Sequence, residues 1–333
     1  MEMSFAEWEK PLRELEVGIV KLKELARKES DEAKRGAQEA KIRDLEEGRD
    51  RYIDIMYSNL GPWEKVLVAR AEKRPYTLDY VTALFSEFVS LGGDRLGHED
   101  EAIVGGPALL DGRAVMVLGH QKGRNITERQ RRNFAMAKPD GYRKAIRLFE
   151  MAERFRMPVV TFVDTPAADP GVESESRGIS EAIAASMMAM FALTVPTVSV
   201  VIGEGGSGGA IGIAASNRVA MLEHAIYSVI PPEGCAAILW RAPEKAHEAA
   251  KALRLTAQGA REAGLVDEIV PEPRGGAHRD PVATFAAVKD CVLRLLEEQA
   301  GVASDALRDE RYEKYRRMGA YAEGSSAGRL GQA

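Results

Sequence analysis

Residues 198–210, VSVVIGEGGSGGA, place five glycines within seven residues directly after a run of apolar, mostly β-branched residues. The run Val198–Ile202 predicts a buried β-strand, and the glycines mark a loop that opens the next helix. Because glycine has no Cβ, such a loop can bring backbone N–H groups close to a ligand at the start of that helix. The stretch therefore predicts a strand, a ligand-binding loop and a helix in succession.

The same order of strand, loop and helix recurs earlier in the chain. Ala114–Leu118 precedes the loop Gly119–Gly123, and Val159–Val163 precedes Asp164–Pro166. This repetition predicts an α/β domain with parallel strands, whose loops meet at the carboxyl edge of the sheet. Further strands are predicted at 219–222, 226–229 and 265–270, and helices at 142–155, 179–193, 243–255 and 282–298.

Apolar residues at helical spacing predict a hairpin of two amphipathic helices before this domain. They are Leu12, Leu15, Ile19 and Leu22, followed after a charged break by Ile42, Leu45, Tyr52 and Met56. The predicted divisions are residues 1–75 for the hairpin and linker, 76–299 for the α/β domain, and 300–333 for a polar, partly helical tail that frays. Methionines 187, 188 and 190 are predicted to fill the core.

Composition excludes several classes of protein. With 45% hydrophobic residues among 333 the chain is not disordered, and a net charge of -5 favours neither nucleic acid nor an anionic membrane as its main partner. Cys235 and Cys291 are the only cysteines, which excludes a disulfide framework or a structural zinc site within this chain. The acidic start and the lack of a long apolar run predict a protein without a signal peptide or membrane span. The two isolated cysteines predict a reducing cytoplasm.

The glycine loop admits several interpretations. Gly203-x-Gly205-x-x-Gly208, with Glu223 further on, matches a dinucleotide-binding fingerprint, although that motif usually opens its domain. Gly205-x-Ser207-x-Gly209 matches a nucleophile elbow, for which histidine 224, 247 or 278 would be the base. A plain tight turn needs fewer glycines, and no phosphate-binding G-x-x-x-x-G-K-[ST] motif occurs.

The favoured interpretation is an oxyanion hole. In this reading the backbone N–H groups of Gly208 and Gly209, assisted by Gly206, stabilise negative charge that develops on an oxygen atom during a reaction. Such a site requires neither a side-chain nucleophile nor a metal ion.

A succession of short motifs resembles one known family. It closely resembles the α subunits of acetyl-coenzyme A carboxylase carboxyltransferase over nearly the whole chain. The motifs, in order, are Tyr76–Tyr80, Gly92–Arg95, Ile103–Gly106, Gly119–Gly123, Arg131–Phe134, Gly141–Ala145, Asp164–Pro166, Gly203–Ala210, Pro232–Ala236, Pro271–Pro273 and Gly275–His278.

The resemblance implies a crotonase-like ββα superhelix and a complex of two α and two β subunits, with zinc and most of the acyl-coenzyme A site on β. It also implies transfer of a carboxyl group from carboxybiotin, held on the biotin carboxyl carrier protein, to acetyl-coenzyme A, giving malonyl-coenzyme A for fatty acid biosynthesis. Biotin carboxylase is a further implied partner. A related carboxylase, such as one acting on propionyl-coenzyme A, and a non-catalytic interaction subunit are the alternatives.

Several residues are assigned through this resemblance. The implied biotin-binding residues are Gly205, Ser207, Pro166, Ala167, Ala168, Asp169 and Gly171. A basic stretch from Lys122 to Arg147 is judged on its own sequence and is expected to be mainly a solvated surface. Its glycine-rich flanks at Gly123 and Gly141 make Lys122, Arg124 and Arg143 candidates for contacting a phosphate or the carrier.

The chain departs from the family in the loop that follows Asp164-Thr165-Pro166. Ala167 and Asp169 stand where the family usually has glycine and tyrosine, and Glu173 stands where a small residue is frequent. Alanine is expected to hold residue 167 at an ordinary φ, and aspartate removes an aromatic wall and adds charge. The changes at 167 and 169 bear on acyl choice and biotin affinity, whereas Glu173 is expected to add surface charge alone.

Overall fold

A computed structural model describes residues 4–319 as an α/β domain preceded by a helical hairpin. The strands are β1 (Ile103–Leu110), β2 (Arg113–His120), β3 (Val159–Thr165), β4 (Thr197–Gly206), β5 (Arg218–Leu222), β6 (Ile226–Ser228) and β7 (Glu268–Val270).

The helices of the N-terminal half are α1 (Phe5–Trp8), α2 (Lys10–Lys28), α3 (Glu32–Ser58), α4 (Pro62–Ala69), α5 (Thr77–Leu84), α6 (Ile126–Arg131) and α7 (Pro139–Phe155). Those that follow are α8 (Val172–Ser176), α9 (Ile179–Ala192), α10 (Ser207–Ile211), α11 (Pro232–Trp240), α12 (Ala246–Ala252), α13 (Ala257–Glu262), α14 (Pro281–Glu297) and α15 (Ser304–Arg316).

The seven strands form one mixed sheet. Its order is β1-β2-β3-β4-β5-β7, with β6 paired to the end of β4. All neighbours are parallel except β1 and β2, which are antiparallel. Because the parallel strands β3 and β4 are buried along their whole length, their apolar runs were readable from sequence.

Several predicted boundaries require correction. Strand β1 was not predicted, and its antiparallel pairing departs from the expected all-parallel arrangement. The strand predicted at 265–270 is shorter and begins at Glu268, and the helix predicted at 243–255 is a 3₁₀ turn, Pro243–Lys245, followed by α12. Helix α11 was also missed.

The predicted N-terminal hairpin is present as α2 and α3. Its interior is apolar, with Leu12 against Ile53 and Ile19 against Ile42. Polar contacts tie its start to the α/β domain, because the Arg279 guanidinium donates to the Glu9 carboxylate at 2.6 Å. The hairpin is therefore fastened to the domain near the sequence position where α14 begins.

Residues 304–316 contradict the prediction of a fraying tail. They form α15, in which Leu307 and the guanidinium-bearing Arg311 are fully buried against the domain. The predicted tail beyond residue 319 lies outside the described residues, and the domain division at residue 299 stays a prediction. Of the three methionines assigned to the core only Met190 is buried, whereas Met188 is 68% exposed.

Within residues 4–319, none of the helices has the length and apolar character required to cross a membrane.

Candidate functional site

Strand β4 runs to Gly206, beyond the predicted end at Ile202, and meets the short helix α10 directly, so the predicted loop is divided between the two elements; the name glycine loop is kept for residues 203–209. Gly206 is both the last residue of β4 and the N-cap of α10, and Ser207 begins the helix with a φ of +52°. The first N–H groups of a helix have no partner within the helix. The predicted donors Gly206, Gly208 and Gly209 therefore lie in this first turn, where backbone N–H groups are available to an oxygen atom.

The glycine loop packs against the loop that follows β3. A Cβ on Gly206 would collide with the Pro166 carbonyl oxygen, and a Cβ on Gly209 would lie 2.5 Å from the Ala167 carbonyl carbon and 2.6 Å from the Ala168 nitrogen. These neighbours are backbone atoms, which cannot rotate away as a side chain can. Glycine at 206 and 209 is thus required for the two loops to approach each other.

The structure brings some of the implied biotin-binding residues into contact with one another, whereas others have different neighbours. Residues 166–168 contact the glycine loop directly. A Cβ on Gly205 would instead lie 2.6 Å from the Tyr227 ring. Gly171 lies beside the Asp169 carboxylate, which accepts a hydrogen bond of 2.5 Å from the Ser174 hydroxyl. Asp169 is therefore held within its own loop and α8.

Two of the three family departures, Ala167 and Asp169, adopt unstrained backbone conformations. Ala167 has no positive φ, as the sequence predicted for alanine at this place, and its N–H and carbonyl both bond to the Thr165 hydroxyl. Partial burial opposes ionisation of Asp169, but the hydroxyl of Ser174 and the amide of Asn133 keep its pKa below the ordinary value. The loop consequently presents a fixed negative charge near its end.

A buried ionic cluster lies where β2, β3 and β4 end. The Lys122 ammonium is 2.7 Å from Asp164 Oδ1 and 3.1 Å from Glu204 Oε1, and Arg70 Nε donates to Glu204 at 2.8 Å. Arg70 also pairs with Glu233 at the start of α11. The cluster ties the strand ends around the glycine loop to α4 and α11.

Burial and pairing act in opposite directions on these groups. Burial alone would raise the pKa of Glu204, but Lys122 and Arg70 lower it to about 2. Burial raises the pKa of Asp164, although Lys122 opposes the change. Burial would lower the pKa of Lys122, yet its two carboxylates raise it above the ordinary value. At neutral pH Lys122 and Glu204 are therefore both charged.

The cluster also shapes the backbone of β4. The pairing of β3 with β4 shifts register between Val163 and Thr165, and at this shift the Glu204 N–H donates to Asp164 Oδ1 at 2.9 Å. A Cβ on Gly203 would collide with the same carboxylate. Asp164 therefore fixes the course of β4 two residues before Gly206.

A second buried ion pair holds the strand just upstream. Arg74 Nη2 lies 2.6 Å from Glu272 Oε1, with side chains 1% and 0% exposed, and Arg74 Nε donates to the Ile202 carbonyl at 2.7 Å. Burial alone would raise the pKa of Glu272, but Arg74 lowers it to about 2. Buried charges of this kind are tolerated only when they are paired.

The carbonyl of Gly209 has its own support from the domain interior. The buried Tyr142 hydroxyl donates to it at 3.3 Å. His120 at the end of β2 is fully buried nearby, and burial lowers its pKa to about 3, so the imidazole is neutral. Tyr142 thus helps to hold α10 from beneath, and His120 adds no charge there.

Two alternative interpretations of the glycine loop lose support. Gly203 and Gly205 lie inside β4 rather than in a loop after it, so the dinucleotide fingerprint lacks its strand-turn-helix setting. Among residues 4–319, no imidazole hydrogen-bonds to Ser207: His224 bonds to Lys65, His278 to Tyr57, and His247 is exposed. A serine nucleophile would lack its base.

The three basic candidates all have partners within the chain. Lys122 belongs to the buried cluster, Arg124 donates to Asp79 and to the Arg74 carbonyl, and Arg143 donates to the Arg177 carbonyl at 3.0 Å. Contact of these cations with a phosphate or the carrier stays a prediction, and for Lys122 it would require breaking two buried ion pairs.

Sequence reasoning missed Arg70 and Tyr315. Arg70 borders a cleft of about 320 Å³ beside Pro166, and Tyr315 lines a cavity beside Gly208. The spacing of Leu307, Arg311 and Tyr315, four residues apart, was the available signal for a buried face on α15. Among the described residues, no group of three or more His, Cys, Asp or Glu side chains is placed to hold a metal ion.

Comparison with known sequences points to one family. The family described as acetyl co-enzyme A carboxylase carboxyltransferase-like matches residues 5–319. A Geobacter metallireducens protein named acetyl-coenzyme A carboxylase carboxyl transferase subunit alpha is 51% identical over 95% of this chain and 98% of its own length. A Thermus thermophilus protein of the same name is also 51% identical, over 95% of this chain and 99% of its own length.

Solved structures share the fold at low sequence identity. A transcarboxylase 12S structure with hydrolysed methylmalonyl-coenzyme A has a TM-score of 0.56 at 19% identity, covering 71% of this chain and 44% of that one. A Pseudomonas malonate decarboxylase hetero-tetramer in complex with coenzyme A has a TM-score of 0.53 at 18% identity, covering 63% of this chain and 84% of that one. These likenesses confirm the crotonase-like fold expected from the sequence.

Proposed function

The chain belongs to the acetyl co-enzyme A carboxylase carboxyltransferase family, and from that membership we propose that it is the α subunit of the enzyme that carboxylates acetyl-coenzyme A to malonyl-coenzyme A. In this role the chain provides the half of the active site that binds biotin. The β subunit supplies zinc and most of the acyl-coenzyme A site, and the two form an α2β2 complex. The biotin carboxyl carrier protein and biotin carboxylase complete the set of partners.

The observation that carries the proposal is the first turn of α10. Backbone N–H groups at Gly208 and Gly209 lie where two loops approach so closely that a side chain at 206 or 209 would be excluded. Biotin would supply a ureido ring that carries the carboxyl group. The carbonyl oxygen of that ring can accept hydrogen bonds from two N–H donors. The first turn of α10 thus offers backbone N–H donors for that oxygen.

The protein's own residues act by positioning rather than by covalent chemistry. Gly208 and Gly209 donate hydrogen bonds to the oxygen atom that gains charge, and removing one such donor typically costs about 2.7–4 kcal/mol of barrier. Asp164, Lys122 and Glu204 hold the strand that leads into the loop. Since no imidazole bonds to Ser207 among residues 4–319, its hydroxyl is not assigned a chemical role.

Reconstitution tests this function. The chain should lack carboxyl transfer when purified alone and gain it on co-expression with the β subunit from the same source. The assay measures transfer from malonyl-coenzyme A to free biotin, the reverse reaction, with acetyl- and propionyl-coenzyme A compared in the forward direction. Full activity of the lone chain, or none in the assembled complex, would contradict the proposal.

Acyl preference and biotin affinity can be separated in the same system. Because Ala167 contacts the glycine loop and Asp169 follows two residues later in the same β3–α8 loop, the Ala167→Gly and Asp169→Tyr double variant should change the KM for free biotin. Unchanged biotin kinetics with altered thermal stability would assign the loop a structural role alone.

A further inference from the structure

An apolar cavity of about 480 Å³ opens beside the glycine loop. Its size lies in the range typical of small-molecule sites. Ser207, Gly208 and Ser228 contribute polar atoms to the lining, and the rest is mainly hydrophobic. The apolar wall includes Met187, Ile211, Tyr227, Leu253, Tyr315 and Met318.

Tyr315 lies in this wall, and its hydroxyl group is hydrogen-bonded within the protein. Its hydroxyl donates to the Ala214 carbonyl at 2.9 Å, and its ring packs edge-to-face on Phe191 with centroids 5.2 Å apart. Burial raises the pKa of Tyr315 well above the ordinary value, so the phenol stays neutral. The ring therefore offers the cavity an apolar surface in a fixed orientation.

Helix α15, which carries Tyr315, is anchored by a buried cation. The Arg311 guanidinium donates to the Met190 carbonyl at 2.7 Å, the Leu193 carbonyl at 2.9 Å and Asn217 Oδ1 at 2.6 Å. Burial lowers the pKa of Arg311 to about 10, which still leaves it charged at neutral pH. Several hydrogen bonds to a buried charge make this helix a rigid part of the domain.

We propose that Tyr315 and Met318 form the wall on which the apolar part of biotin, its sulfur-containing ring and aliphatic chain, packs while the ureido oxygen meets the N–H group of Gly208, the proposed donor that lines the cavity. This inference rests on the proposed function and goes beyond it by assigning biotin affinity to the C-terminal helix. Biotin has a polar ureido group at one end of an apolar ring and chain, and the cavity is apolar except at Ser207, Gly208 and Ser228.

The test uses the complex assembled with the β subunit and the reverse reaction, with free biotin as acceptor. Tyr315→Ala should raise the KM for biotin about tenfold and leave the KM for malonyl-coenzyme A unchanged. Tyr315→Phe keeps the ring and should change the biotin KM less than threefold. Tyr312→Ala is the matched control, because Tyr312 lies on the same helix and is 56% exposed.

A second variant guards against a general loss of folding in Tyr315→Ala. Met318→Asp introduces a charge into the wall and should weaken biotin binding, whereas Arg317→Asp, at a neighbouring side chain that is 80% exposed, should not. Calorimetric binding of free biotin to each complex gives a readout that does not depend on turnover. Weakened binding in both wall variants would support the inference even if the complex transferred no carboxyl group, a result that would contradict only the proposed function.

Two outcomes would overturn the inference. One is unchanged biotin KM and binding in folded, assembled Tyr315→Ala and Met318→Asp complexes. The other is a raised KM for malonyl-coenzyme A with normal biotin kinetics, which would assign the cavity to the acyl substrate.

Discussion

Close packing against backbone atoms makes Gly209→Ala the most informative substitution, because Gly209 is also one of the two proposed oxyanion donors. The new Cβ would lie 2.5 Å from the Ala167 carbonyl carbon, whereas ordinary van der Waals contact begins at 3.4 Å. The two loops must therefore separate by about 0.9 Å, since the obstructing atoms are backbone. A displacement of about 1 Å at a reacting centre can reduce the rate about 10²-fold, similar to the loss of one oxyanion donor.

We expect Gly209→Ala to lower kcat about 10²-fold in the complex with the β subunit, without loss of assembly. Gly208→Ala is the matched control, because a Cβ there would meet only the end of the Ile183 side chain, at 3.2 Å, and should cost less than tenfold. Ser207→Ala retains every backbone N–H and should stay within a few-fold of the wild-type rate. Rates come from carboxyl transfer and assembly from size-exclusion chromatography. Wild-type kcat in Gly209→Ala, or inactivity in Ser207→Ala, would refute this reasoning.

Three further predictions concern stability. Lys122→Met leaves Asp164 and Glu204 without a shared cation, so the free energy of unfolding measured by urea titration should fall by about 3–5 kcal/mol. A loss below about 1 kcal/mol would contradict the importance of the cluster. The pKa values of Glu204 and Glu272 are about 2 in the folded protein, below the ordinary 4.5, so the free energy of unfolding should fall as the pH drops from about 4.5 towards 2. A urea midpoint that stays constant over this pH range would contradict this prediction. Arg241 ends α11 exposed at a φ of +52°, so Arg241→Gly should stabilise the protein by about 1 kcal/mol, and a lower unfolding midpoint would disprove the backbone strain.

The sequence predicted the central strands because burial left a local pattern. Strands β3 and β4 are buried throughout and contain the mostly apolar runs 159–163 and 198–202. Proline or glycine follows each run within a few residues and marks its end without reference to the rest of the chain. Strand β1 gave no such signal, since Gly105, Gly106 and Pro107 interrupt it. Its glycines are explained only by the fold, where a Cβ on Gly105 would lie 2.8 Å from Leu148 Cδ1.

The site was predictable where one short segment carries it and not where distant segments meet. The first-turn glycines of α10 were identified from their spacing alone. The ionic cluster joins residues 70, 122, 164 and 204, and the choice of partner for each charge depends on the register shift between β3 and β4. The prediction that residues 304–316 fray was wrong for a different reason. Its buried face uses Arg311, a residue type that composition counts as solvent-exposed.

The anchoring of α15 also determines when the cavity can form during synthesis and folding of the chain. Arg311 bonds to carbonyl groups up to 121 residues earlier in the chain, and to Asn217, 94 residues earlier. Residues 304–316 are therefore synthesised after every part of the domain that they contact. Until then the carbonyls near the end of α9 lack their donor, and the apolar cavity lacks one wall. The sheet and glycine loop can form during synthesis, but a complete ligand cavity exists only once this helix has been made and has docked.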